Sequence, residues 1–226
     1  MVTEDVAPRA LRERIAADIR PVRPLRVPWQ RAVSAAPFAA LLVVAAPLVL
    51  FSVRTDADRV SPFLTWGLSV AQALAGVVLA GAAFRQAVPG RARGVRMLTL
   101  LFTVGLAVAA SVMLFTWRME PISLPPQYWR QFTIGCFIFS LVDGLPLLLI
   151  FLVFAARGLL TRPAAVGGLA GLAAGVVSDA SWRMVCVVTE PSHVFAGHYA
   201  SLAALSVLGA VLLSVWSRVA RAFRRH

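Results

Sequence analysis

Six long apolar stretches constrain the fold of this 226-residue chain more than any other feature. A helix needs roughly 20 mostly apolar residues to cross the hydrocarbon core of a bilayer, where backbone polar groups must pair within the segment. We therefore predict an all-α, polytopic membrane protein with a bundle of six transmembrane helices. The predicted spans are Ala32–Val53, Ser61–Phe84, Met97–Trp117, Gln131–Ala156, Pro163–Met184 and Val194–Ser217.

The composition agrees with lipid as the solvent for most of the chain. Hydrophobic residues make up 59% of it and charged residues only 14%, too few to cover a soluble domain of this size. A net charge of +12 would suggest nucleic acid in a soluble protein, but in a membrane protein it is first a topology signal. We expect no direct contact with nucleic acid. Two cysteines without a CxxC motif exclude a disulfide-rich scaffold and a zinc finger.

The distribution of arginine predicts the orientation of the spans. All 22 basic residues are arginine, and cytoplasmic loops of membrane proteins carry an excess of positive charge. With the N-terminus inside, seventeen arginines fall on the cytoplasmic side and five on the opposite side. Both termini are therefore predicted to be cytoplasmic. The chain then divides into a cytoplasmic arm at 1–31, a transmembrane domain at 32–217 and a basic cytoplasmic tail at 218–226.

The arm contains a short amphipathic helix and, after it, a proline-rich connector. Leu11, Ile15 and Ile19 recur at helical spacing among arginines and acids, and the prolines of the connector end the helix before the first span. A helix of this kind either lies on anionic lipid or docks its apolar stripe into a groove on a cytosolic protein. The residues alone leave both interpretations open.

Two aspartates interrupt the apolar stretches, where a charge is costly and needs a partner or a function. Asp179 and Arg183 are four residues apart, so an ion pair on one helix accounts for both. Asp143 precedes Pro146, which is expected to kink its helix. This aspartate either caps the backbone freed by the proline, binds across helices while protonated or serves a proton path.

Small residues give the fifth predicted span a face for close packing. Gly167, Gly171 and Gly175 recur every four residues, and such a face lets two helix backbones approach each other. The partner is either another helix of the same chain or a second copy of the chain.

Cysteine and histidine residues gather on the side of the membrane opposite to the arm. Cys136 lies near the start of the fourth predicted span, Cys186 lies just past the end of the fifth, and His193 and His198 begin the sixth. Thiols and imidazoles together suit soft or borderline metal ions, and thiols on an oxidising face can pair or respond to oxidants. Alternatively, the cysteines are small packing residues and the histidines lie at the interface. Spacing alone does not decide between these interpretations.

No enzyme signature is present in the sequence. It has no GxSxG, HExxH or P-loop motif and only three histidines, so we expect a protein that is not an enzyme and uses no cofactor. A small transporter or permease subunit is an alternative function. It would use the intramembrane Asp143 and Asp179, with Gln72 as nearly the only other polar residue for a path through the bundle.

Four groups of residues agree with one family in order and in position relative to the helices. The groups are the connector 18–25 (DIRPVRPL), then Cys136 with Leu145-Pro146, then the runs 157–163 (RGLLTRP) and 170–175 (AGLAAG), and last Cys186, Glu190, Phe195 and His198. In these features the chain resembles the NrsF-type membrane anti-sigma factors, six-helix proteins that restrain an extracytoplasmic-function sigma factor. Val185 and Gly197 stand where that family usually has a histidine and a tryptophan.

The resemblance implies a multi-pass protein of the bacterial inner membrane whose partners are the lipid bilayer and an extracytoplasmic-function sigma factor. It implies that the arm holds the sigma factor at the membrane. The residues that would make this contact are Leu11, Ile15, Ile19, Arg20 and Arg23.

The resemblance also implies how the hold is loosened. Cys136 and Cys186, with His193 and His198 beside them, would sense heavy-metal or oxidative stress on the periplasmic side. The two cysteines would then act either as metal ligands or as a disulfide pair, and the resemblance leaves both chemistries open.

Overall fold

The computed structural model describes residues 8–18, 26–45, 49, 52–56, 61–88 and 94–223. Within these ranges the regular structure is helical and contains no strand, which confirms the all-α prediction. The α-helices are α1 (Arg9–Asp18), α2 (Pro28–Ala45), α3 (Leu68–Gln86), α4 (Val95–Met119), α5 (Pro126–Ala156), α6 (Pro163–Trp182), α7 (Pro191–His193) and α8 (Ala200–Phe223). π-helical segments at Phe63–Gly67 and Val194–Tyr199 lead into α3 and α8.

Five helical stretches are long and apolar enough to cross a membrane. They are Leu68–Gln86, Arg96–Met119, Pro126–Ala156, Pro163–Trp182 and the continuous stretch Pro191–Phe223. These stretches correspond to the second to sixth predicted spans. Large apolar side chains such as Val70, Leu74 and Val78 on α3 point outward and are more than half exposed, as a lipid-facing surface requires.

The first predicted span, Ala32–Val53, is described only in part. α2 covers its first half and begins earlier than predicted, at Pro28, while residues 46–48, 50 and 51 lie outside the described part of the chain. α2 packs against α3 and α6. The number of six spans and the cytoplasmic location of both termini therefore stay predictions.

α6 is the central helix of the bundle. Its residues from Val166 to Trp182 are all buried, because α3, α5 and α8 pack around it. A Cβ added at Gly167 would lie 2.1 Å from the carbonyl oxygen of Gly209, and one at Gly171 would lie 2.1 Å from that of Leu205. Contacts this short leave no room for a side chain. The small-residue face therefore packs against α8 of the same chain.

α5 continues through Pro146 as one helix of 31 residues, so the proline does not end it. Asp143, three residues earlier, contacts the neighbouring helix α6. The Ser178 hydroxyl lies 3.2 Å from Oδ2 of Asp143 and 2.7 Å from the carbonyl oxygen of Ser140, and it can donate to either. The structure thus shows a contact of Asp143 across helices, and the choice among its three roles stays a prediction.

Candidate functional site

The four predicted sensor side chains lie together. The metal-ligating atoms of Cys136, Cys186, His193 and His198 are all within 4.8 Å of one another. The two sulphur atoms are 3.8 Å apart, and Sγ of Cys186 is 3.5 Å from Nε2 of His193. Both cysteines are free and half-buried, and both histidines are buried. We call these four residues the thiol–histidine cluster.

Three segments of the chain supply the cluster. Cys136 comes from α5, and Cys186 comes from the connector after α6, where its amide donates to the carbonyl oxygen of Trp182 at 2.8 Å. His193 ends the short helix α7, and His198 lies in the π-helical segment immediately after it. π-helical turns are often found at functional sites, because the extra residue in the turn redirects side chains.

Hydrogen bonds at one nitrogen of each imidazole fix the orientation of the ring. Thr133 Oγ1 is 2.9 Å from Nδ1 of His193, and Asp179 Oδ1 is 3.0 Å from Nδ1 of His198. The Nε2 atoms are thereby left for the cluster. Nε2 of His198 is buried and has no hydrogen-bond partner among the described residues. Partners of this kind orient the histidine ligands of metal ions in proteins.

Asp179 has more partners than the sequence predicted. The predicted ion pair with Arg183 is present, but its closest N–O distance is 4.0 Å. Stronger contacts come from Gln72, whose amide donates to Oδ2, and from the His198 ring at Oδ1. Arg183 Nη1 donates to Thr116 Oγ1 at 2.8 Å. The carboxylate therefore connects the cluster to α3, and Arg183 extends the network to α4.

A small cavity lies between this network and the cluster. Its volume is about 20 Å³, which is enough for one water molecule, and its lining includes Arg54, Asp179, Arg183, Cys186 and His198. Arg54 is buried and binds Asp56 through two hydrogen bonds of 2.5 and 2.7 Å. A cavity of this size holds a small group but gives no passage for a transported solute.

A comparison with protein families identifies the family of the chain. The family model described as "Negative regulator of sigma F" (NrsF) matches residues 15–218, which is most of the sequence. The chain belongs to the NrsF family. The resemblance drawn from its motifs is thus confirmed, and the family description makes the chain an anti-sigma factor, a regulator rather than an enzyme, with a sigma factor as partner. No curated protein and no solved structure matches it.

In this NrsF protein the Cys186 thiol has an unusual environment. The hydrogen bond with the Cys136 thiol, and after it the contact with the His193 ring, hold the pKa of Cys186 well below its ordinary value, although burial acts in the opposite direction. A thiolate is the form of cysteine that binds metal ions and reacts with oxidants. The environment therefore favours the reactive form.

Gly197 packs directly against the cluster. A Cβ at this position would lie 3.2 Å from the carbonyl oxygen of Thr133 and 3.3 Å from Cβ of Cys136. A larger residue would have to displace α5 or the Cys136 side chain. The absence of a side chain at Gly197 thus helps to set the distance between α5 and the two histidines.

The predicted sigma-binding residues lie on an exposed helix where the structure describes them. Every residue of α1 is exposed, and the side chains of Leu11 and Ile15 are 48% and 52% exposed. Ile19, Arg20 and Arg23 lie outside the described residues. The described part of the arm thus has an exposed apolar stripe, and the role of the stripe stays a prediction.

Proposed function

We propose that this NrsF protein is an inner-membrane anti-sigma factor that holds an extracytoplasmic-function sigma factor with its arm. It releases the sigma factor when the thiol–histidine cluster meets heavy metals or oxidants. The observation that carries the proposal is the convergence of four chemically reactive side chains, within 4.8 Å, in a chain whose family is that of a sigma-factor regulator. The family match supports the regulatory role, and the short distances support the sensing role.

The arm supplies the surface for the sigma factor. Leu11 and Ile15 are four residues apart on α1, so both project from the same face of the helix. Both are about half exposed in the isolated chain, and α1 buries none of its residues against the bundle. An apolar stripe of this kind fits a groove on a cytosolic protein.

α5 offers a route from the cluster to the opposite side of the membrane. It carries Cys136 in its first half and ends at Ala156, next to the loop that contains Arg157 and Arg162. A change in the cluster that tilts α5 against α6 also moves the end of α5 at Ala156. Release then requires two packing states of the bundle whose balance the cluster shifts.

Substitutions in the arm test the partner. Leu11→Asp combined with Ile15→Asp places charges where a groove expects hydrocarbon, at a cost of several kcal/mol per uncompensated buried charge. Co-purification of the sigma factor with this variant should be lost while membrane insertion is retained. Arg12→Gln with Arg14→Gln is the matched control and should retain most of the binding, because exposed ion pairs contribute only ~0–1 kcal/mol. Wild-type recovery of the sigma factor by the double-Asp variant would refute this mode of binding.

Reporter fusions test the topology on which the proposal depends. Fusions after Gly90 and at His226 should report the cytoplasm, and fusions after Asp58 and Glu190 should report the periplasm. One inverted fusion is enough to reject the six-span arrangement with both termini inside.

Substitution of the cysteines tests the sensing role in cells. Cys136→Ser and Cys186→Ser proteins should still hold the sigma factor but should release less of it, or none, after treatment with cadmium or with an oxidant. Transcription from a sigma-dependent promoter is the measurement. If both variants respond as the wild type does, the cysteines are packing residues and the sensor is elsewhere.

A further inference from the structure

We propose that the thiol–histidine cluster is a closed, four-coordinate site for a thiophilic divalent ion such as zinc or cadmium, with His193 and His198 as ligands through Nε2. This inference names the chemistry of the signal in the proposed function and rests on that function for its biological role. Binding of the ion itself requires no sigma factor, so the two proposals can fail separately.

The distances in the cluster fit the edges of a small tetrahedron. With Zn–S bonds of about 2.3 Å and Zn–N bonds of about 2.0–2.1 Å, tetrahedral angles place two sulphur ligands about 3.8 Å apart and a sulphur and a nitrogen about 3.5 Å apart. The corresponding distances here are 3.8 Å between the sulphurs and 3.5 Å between Cys186 Sγ and His193 Nε2. The widest separation, 4.8 Å, involves a nitrogen atom and has to close by about 1.3–1.5 Å to reach such an edge.

The two histidines favour a bound metal ion over a disulfide between Cys136 and Cys186. Two thiols in ordinary contact also lie near 3.8 Å, so the sulphur distance alone fits both chemistries. A disulfide needs nothing from His193 or His198, yet both rings are buried at the cluster and held at Nδ1 by Thr133 and Asp179. Nε2 of His198 is buried without a hydrogen-bond partner among the described residues, an arrangement that is costly unless a ligand satisfies it. A metal ion supplies that ligand.

The charges of the cluster balance for a divalent cation. In the bound state both cysteines are thiolates and both imidazoles are neutral and each donate a lone pair; the protons that the ion displaces from the cluster go to solvent, and no electron is transferred. Two thiolates cancel the two positive charges of the ion. All four positions come from the protein, and such closed sites bind metal ions without providing a position for catalysis.

Asp179 is the positioning residue of this site. Its Oδ1 accepts from Nδ1 of His198, which fixes the tautomer that leaves Nε2 free for the ion. Its Oδ2 accepts from the Gln72 amide on α3. Closure of the cluster around an ion therefore pulls on a residue that is bonded to a second helix, and this connects the site to the centre of the bundle.

Cobalt(II) is a suitable probe, because its visible spectrum reports both coordination number and thiolate ligation. The full-length chain, purified in detergent with its thiols kept reduced by a phosphine, is titrated with cobalt(II). We expect one cobalt per chain, the intense visible bands of tetrahedral cobalt and a thiolate-to-cobalt charge-transfer band. Zinc(II) and cadmium(II) should displace the cobalt. A reduced wild-type protein that binds no cobalt, or binds it with an octahedral spectrum, overturns the site.

Single substitutions identify the ligands. Cys136→Ser, Cys186→Ser, His193→Gln and His198→Gln should each abolish the tetrahedral spectrum, with helix content and elution volume measured to verify folding. His226→Gln, which changes the third histidine of the chain, is the matched control and should bind as the wild type does. If folded His193→Gln and His198→Gln proteins keep the wild-type spectrum, the four-ligand site is wrong. The two-cysteine sensor of the proposed function would survive that result.

A substitution of Asp179 tests the positioning role. Asp179→Asn should lower the cobalt affinity by about 10–100-fold and shift the visible bands, and Asp179→Glu should recover part of the affinity, because a carboxylate again faces the ring. Asp143→Asn is the control for the loss of an intramembrane carboxylate and should leave the spectrum unchanged. An unaltered affinity and spectrum in Asp179→Asn would remove Asp179 from the site.

Discussion

The thiol–histidine cluster and the arm helix α1 are built in opposite ways. Around the cluster, polar side chains are buried and receive hydrogen bonds from several segments of the same chain. In α1 all ten residues are exposed, and its ion pair between Arg9 and Glu13 is local. The cluster is therefore assembled by the chain alone, whereas the apolar stripe of the arm is not buried by the described residues of the chain. We therefore expect substitutions in the bundle to lower the stability of the protein strongly, and substitutions in the arm to change it hardly at all.

The largest loss of stability is expected from substitutions at the contact between the backbones of α6 and α8. Gly171→Leu adds a side chain at a point where Cβ alone would lie 2.1 Å from the carbonyl oxygen of Leu205, so α6 and α8 must separate. We expect a loss of several kcal/mol, seen as failure to recover a folded monodisperse protein in detergent. Ala16→Leu in α1 is the matched control and should melt as the wild type does. Equal melting temperatures for both variants would contradict the central role of α6.

Substitutions of the two intramembrane aspartates should cost different amounts of stability, because Asp179 has more partners than Asp143. Asp179→Ala leaves Gln72 and His198 without their acceptor in a buried network, and removal of one member of such a network costs about 3–5 kcal/mol. Asp143→Ala removes the contact with Ser178, and interhelical hydrogen bonds in membranes average about 0.6 kcal/mol. Thermal unfolding in detergent measures both variants. Similar losses for the two would show that Asp143 has a role beyond this contact.

A smaller effect is expected at the residue that orients His193. Thr133→Val keeps the shape of the side chain but removes the hydroxyl that lies 2.9 Å from Nδ1 of the ring. The loss of one buried hydrogen bond should cost about 1 kcal/mol. Cobalt affinity of the same variant should fall as well, since the ring is then free to rotate. Wild-type affinity together with wild-type stability would show that the ring is held by packing.

The smallest change in stability is expected from substitutions in the arm. Arg9→Gln breaks the 2.9 Å contact with Glu13, an exposed pair one helical turn apart that contributes about 0.2–0.5 kcal/mol to an isolated helix. The melting temperature of the bundle should not change. A measurable decrease would mean that α1 packs on the bundle, and the contrast between the two regions would then be lost.

Local pattern and helix order were enough to predict the helical stretches and the neighbourhood of the two cysteines. Apolar length predicted the five stretches that meet the requirements for spanning, and the alternation of helix ends predicted that Cys136 and Cys186 lie near each other. Neither signal predicted that Gln72 and His198 bind Asp179, because partners 107 and 19 residues away leave no periodic pattern. The local ion pair with Arg183, which spacing does reveal, is the longest of these contacts. Tertiary packing selected the partners of Asp179, and only the structure shows that packing.

The glycine contact between α6 and α8 has a mechanical consequence. The continuous helical stretch Pro191–Phe223 is 33 residues long, which corresponds to about 50 Å, and Gly209 touches Gly167 near its middle. Both histidines lie at one end of this rod, about 24 Å from His193 to the contact, and Phe223 lies about 21 Å beyond it. Gly171 approaches Leu205 equally closely, so both tight contacts lie in the middle third of the stretch, and a rigid rotation of the stretch would pivot there. In such a rotation, a shift of about 1 Å at the histidines would give a shift of about 1 Å, in the opposite direction, at the end that carries the basic tail.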